Sequence, residues 1–155
     1  MDRKYSENLI KGKITEVIFE EMFRTSNEFT IIPLGYEHTT PILAQYQHFV
    51  HVQKVLENLR NAPDFALISQ DKTRVFLVEV KYRIQFDKYD IQKITNSISS
   101  AWDPCYLFIA SENNFYFENT KNIANNNGEI SKLSENWISN HIQEEYLFLL
   151  NEFIN

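Results

Sequence analysis

Apolar positions recur along this chain at distinct spacings, and each spacing predicts an element. Across residues 6–24, Leu9, Ile10, Ile14, Val17, Ile18 and Met22 return every three or four positions, the period of one helix face, with Ser6 placed to cap it. Residues 28–34 read as a first strand through Phe29, Ile31 and Leu34, followed by a polar turn over 35–41. Residues 41–61 return to helical spacing, with Ile42, Tyr46, Phe49, Val50, Val55, Leu56 and Leu59 as the apolar set. Residues 63–83, PDFALISQDKTRVFLVEVKYR, read as two short strands joined by a polar turn at 69–73. Side chains alternate across a strand, so Val75, Leu77, Glu79, Lys81 and Arg83 share one face and Phe76, Val78, Val80 and Tyr82 the other.

Beyond this pair, Asp87 or Asp90 can cap a helix running to about residue 101, with Ile91, Ile94 and Ile98 on one face. The continuous apolar run CYLFIA, residues 105–110, predicts a strand buried on both faces. Residues 114–118 read as a further strand and 119–128 as a polar, Asn-rich loop. Residues 133–154 show Trp137, Ile138, Ile142, Tyr146, Leu149, Leu150 and Phe153 at helical spacing. This order predicts an α/β fold, a central mixed β-sheet of about five strands flanked by helices.

Composition narrows the class. At 155 residues, 43% hydrophobic and 14% aromatic, the chain fits one globular domain, 1–155, with a substantial core. Three Gly and four Pro leave little room for linkers. One cysteine, Cys105, excludes an intrachain disulfide, and a polar start without a signal-peptide core favours a cytoplasmic setting. No apolar stretch approaches membrane-spanning length, so no membrane partner is expected. His38, His48, His51 and His141 show no zinc spacing with Cys105. A net charge of −6 argues against strong nonspecific DNA binding, although Lys11, Lys13, Lys81, Arg83, Lys88 and Lys93 could make a local basic rim.

The chemistry concentrates in 63–83. Glu79 and Lys81 fall within a strongly apolar strand, where charge is costly. A hairpin through 69–73 would bring Asp64 to Glu79. Two carboxylates and an ammonium meeting at the end of a buried sheet suit metal-assisted cleavage of a phosphodiester. On the first helix, Glu16 sits one turn beyond Gly12, whose missing side chain would allow close approach of a backbone or phosphate.

Pro63-Asp64, fourteen intervening residues, then Glu79-Val80-Lys81 resembles the signature of the PD-(D/E)XK nuclease superfamily. Lys11-Gly12-x-x-x-Glu16 resembles the first-helix motif of its Holliday-junction-resolvase branch. The resemblance implies a restriction-endonuclease-like αβββαβ core over about 11–111, with residues 41–61 as an inserted helix and 133–154 as a C-terminal helix. It implies Mg²⁺ or Mn²⁺ held by Asp64, Glu79, Glu16 and the Val80 carbonyl, with Glu20 as the fallback acid on the first helix. Lys81 would be the catalytic lysine, and Gln92 would lie near the substrate or that lysine. The implied activity is a metal-dependent nuclease acting on nucleic acid, with DNA the expected substrate and a homodimer one way of cutting both strands. The competing reading is a catalytically silent nuclease fold serving as a binding or assembly subunit of a repair or defence complex. A third is an unrelated α/β protein in which Asp64 and Glu79 lie far apart.

Overall fold

The computed structural model describes residues 2–34, 62–98 and 102–155. The helix expected over 41–61, with His38, Tyr46, His48 and His51, lies outside the described residues. The elements are α1 (Arg3–Ser26), β1 (Phe29–Pro33), β2 (Phe65–Ser69), β3 (Val75–Tyr82), α2 (Lys88–Ser97), β4 (Cys105–Ala110), β5 (Phe115–Asn119), α3 (Thr120–Asn125) and α4 (Asn140–Ile154). Among the described residues the fold is α/β, with one five-stranded mixed sheet in the order β1-β2-β3-β4-β5. Of these strands, β3 and β4 run parallel and the other neighbours antiparallel.

Alternation along the strands sorts the core into two layers. Phe65, Leu67, Val78, Val80, Phe108 and Phe117 meet Ile18, Phe19, Met22 and Phe23 of α1 and Leu150 of α4 on one face. Phe19 anchors this layer, with ring centroids 5.1 Å from Phe65 and 5.0 Å from Phe108. On the other face Leu107 and Ile109 pack with Ile91 and Ile94 of α2 and Ile123 of α3. β4 contributes to both layers, as its uninterrupted apolar run predicts.

Three expectations are corrected. α1 begins at Arg3, capped by the Asp2 carboxylate accepting from the Lys4 N–H at 3.0 Å, while the Ser6 hydroxyl donates back to the Asp2 carbonyl. Its buried stripe is Thr15, Ile18, Phe19, Met22 and Phe23; Leu9, Ile10 and Val17 are exposed. The chain carries two overlapping apolar stripes here, and packing on the sheet selects the aromatic one. Second, the loop expected at 119–128 contains α3, because Asn119 accepts from the Lys121 N–H and Ile123 is fully buried. Third, the last helix starts at Asn140, not Leu133. Residues before it extend the sheet edge, with the Phe117 N–H donating to Ser131 and the Leu133 N–H to Phe115, each at 2.9 Å. A turn at Ser134, whose carbonyl accepts from the Trp137 N–H, then leads into the helix.

A polar turn fixes the β2–β3 hairpin. The Asp71 carboxylate accepts from the Ser69 hydroxyl at 2.6 Å and from the Thr73 hydroxyl and N–H at 2.7 and 3.0 Å. Those hydrogen bonds hold the Asp71 carboxyl at about 2, below its ordinary value. Lys72 takes the left-handed conformation the turn requires, with φ 59°.

Candidate functional site

The hairpin register decides what meets at the sheet end. Phe65 pairs with Val78, so the antiparallel ladder continued one step sets Asp64 opposite Glu79. Both ends of Asp64 are held. Its carbonyl accepts from the Leu34 N–H at 2.8 Å, and its Oδ2 accepts from the Val80 N–H at 2.8 Å. A residue's N–H and C=O project toward the same edge of an extended strand, so the Val80 carbonyl also faces the β2 side. Beside this, Lys81 Nζ lies 3.2 Å from Glu79 Oε1, with the Glu79 side chain 16% exposed and the Lys81 side chain 36%.

α1 closes the third side. Glu16 hydrogen-bonds with Asp64, and Lys13 lies 3.3 Å from Glu16. Asn8, Gly12 and Glu16, spaced by four, fall on one helix face and line a cleft of about 600 Å³ with Lys11, Asp64, Glu79, Lys81 and Arg83. A Cβ on Gly12 would meet nothing within 4 Å. Gly12 therefore does not serve close packing against a neighbour; it leaves the cleft wall open. Glu20, the fallback acid, is tied to Arg24 at 2.6 Å and is not among the residues lining the cleft.

Electrostatics follow from crowding acids in a dry place. Burial and then the Glu79 charge push the Asp64 carboxyl up to about 7, opposed by the Val80 N–H, Lys81 and the Glu16 hydrogen bond. Burial raises Glu79 as well, countered by Lys81 and reinforced by the Glu16 charge. Cys105, at the start of β4, is buried and its thiol is pushed up to about 12 by that burial.

Asp64, Glu79, Lys81, Val80 and Glu16 are thus brought together. Gln92 is not. It points to the far side of α2, where a Cβ on Gly128 would come within 2.8 Å of its Cγ. The α2 residues on the cleft side are Asp90, Lys93 and Ser97. Gln92 is one position from Lys93, and a helix turns about 100° per residue, so the loop after α3 receives it. Asn8, Gln85 and Ser97 carry no sequence signal beyond polarity, although the four-residue spacing to Gly12 and Glu16 could have flagged Asn8; Asp90 is signalled only as a helix cap.

Among the described residues, no three His, Cys, Asp or Glu side chains stand close enough to hold a metal ion as they lie. The donor chemistry nevertheless fits a hard divalent cation. Carboxylates of Asp64, Glu79 and Glu16 with a backbone carbonyl make an all-oxygen set, and two of the acids carry raised proton affinity that one lysine does not relieve. Among the described residues, no helix is long and apolar enough to cross a membrane. Comparison of the chain with protein-family models, curated proteins and solved structures finds no match.

Proposed function

We propose that this chain is a divalent-metal-dependent nuclease of the PD-(D/E)XK type, hydrolysing phosphodiester bonds in nucleic acid, with DNA as the expected substrate. The observation that carries the reading is the hydrogen bond from the Val80 N–H to Asp64 Oδ2 at 2.8 Å, alongside the Glu79–Lys81 pair at 3.2 Å. It joins the two halves of the motif at one point. The order α1-β1-β2-β3-α2-β4 supports the reading, because it repeats the αβββαβ order that the motif implies.

The chain's own groups then have definite tasks. Asp64, Glu79, Glu16 and the Val80 carbonyl would hold Mg²⁺ or Mn²⁺, which when bound polarises the phosphoryl group and lowers the pKa of its water. Lys81, anchored by Glu79, orients a water and offsets charge on the phosphate. The Val80 N–H fixes the Asp64 carboxylate at the cleft wall. Lys11 and Arg83, on the cleft walls, attract the anionic substrate.

The test is cleavage of plasmid and oligonucleotide DNA with Mg²⁺ or Mn²⁺, with and without chelator. Wild type should cleave, chelator should abolish cleavage, and Asp64→Ala and Lys81→Ala should each lose at least about a hundredfold. Equal cleavage by wild type and these variants ends the mechanism. Absence of both cleavage and calorimetric metal binding assigns the chain to the competing class, a silent fold acting in assembly.

A further inference from the structure

The cleft does not end at Lys81. A second cavity of about 500 Å³ shares Lys81, Arg83 and Gln85 with the first and is bounded on its far side by Asp90, Lys93 and Ser97 of α2. Together they form one trough over the end of β3, from α1 on one face of the sheet to α2 on the other.

Charge is divided along this trough. The α1 end holds the acids Glu16, Asp64 and Glu79 beside Lys11. Toward α2 come Arg83, shared by both cavities, and then Lys93, both exposed. The acid at that end, Asp90, accepts from the Asp87 N–H at 3.1 Å in the capping box of α2. Arg83 Nη1 donates to the Tyr82 carbonyl at 2.8 Å, and neither Arg83 nor Lys93 has an ion-pair partner among the described residues. Two cations without ion-pair partners beside an acidic centre, in a chain of net charge −6, match a polyanion. Gln85 adds a neutral hydrogen-bonding group of the kind that meets phosphate and sugar oxygens.

We propose that the α2 end is a second phosphate subsite: a nucleic-acid strand held at Asp64, Glu79 and Lys81 lays an adjoining phosphate between Arg83 and Lys93. The inference rests on the nuclease reading and adds the path of the strand across the molecule. Arg83 and Lys93 are positioning residues, so their loss falls on binding.

The experiment uses the double variant Arg83→Gln/Lys93→Gln and a fluorescein-labelled single-stranded oligonucleotide. Binding is followed by anisotropy in chelator across a salt series, and cleavage is measured with Mg²⁺. The slope of log K against log salt should fall by about 0.7, the value for one phosphate of a single strand that the variant no longer neutralises. KM should rise about tenfold with the loss on kcat smaller. The control Lys121→Gln/Lys132→Gln makes the same charge change away from the trough and should leave the slope in place. An unchanged slope and KM in the double variant, an equal loss in the control, or no oligonucleotide binding by wild type overturns the subsite. A reduced slope in a protein that cleaves nothing upholds the subsite while removing the nuclease reading.

Discussion

Replacing Asp64 by Asn tests the electrostatics of the cleft without reference to catalysis. The amide keeps the shape of the carboxylate and retains an acceptor for the Val80 N–H, so the 2.8 Å bond has a successor. What disappears is the charge. Burial, then Glu79, raise the Asp64 carboxyl from 3.8 to about 7, a difference worth at most about 4 kcal/mol between its protonation states. The folded protein therefore binds a proton that the unfolded chain releases, and its stability falls as pH rises between those two values. The contribution is complete below the unfolded value and lost once pH passes about 7; roughly 3 kcal/mol of it falls between about pH 5 and pH 8. Urea unfolding in chelator at those two pH values should show Asp64→Asn more stable than wild type by about 1–3 kcal/mol at the higher pH, with the gap closing at the lower one. Glu79, raised by burial in the same direction, leaves the variant a residual slope. A gap that is the same at both pH values, or a wild type that is the more stable at pH 8, refutes the reasoning.

Two further outcomes follow from the packing. Gly12→Ala should raise stability by about 0.5–1 kcal/mol in thermal melts, since the added Cβ meets nothing within 4 Å and glycine is costly inside a helix, whereas Gly12→Trp should keep the fold and lower cleavage by filling the cleft wall. Phe108→Ala should cost about 3–5 kcal/mol in urea unfolding, because the ring is fully buried between Phe19 at 5.0 Å and Phe115 at 5.4 Å; a loss below about 1 kcal/mol would contradict the packing.

Elements whose signal is local are legible in the sequence. CYLFIA matches β4 residue for residue, because an apolar run flanked by Pro104 and Ser111 has no other strand boundary. The hairpin is legible because alternation in 75–82 and the polar turn agree on one register, and that register alone places Asp64 by Glu79. What escapes depends on neighbours distant in the sequence. Periodicity finds an apolar stripe on α1 but cannot say that the sheet will take Phe19 and Phe23 and leave Leu9, Ile10 and Val17 exposed. Gln92 is misplaced for the same reason. Spacing finds its helix, but its direction is set by the loop after α3, and α3 is hidden in an Asn-rich run where Ile123 is the single large apolar clue. The helical period of Trp137 and Ile138 runs on into α4 across a turn, so spacing alone lengthens that helix.

The Asp71 turn has a reach beyond the loop it closes. Sliding β3 past β2 by one residue would rotate Glu79 and Lys81 from the α2 side of the sheet into the aromatic layer, and would carry the Val80 amide away from Asp64. A carboxylate at the opposite end of the hairpin thus acts as the alignment pin of the cleft, so damage to the turn should surface as lost chemistry before it surfaces as lost structure.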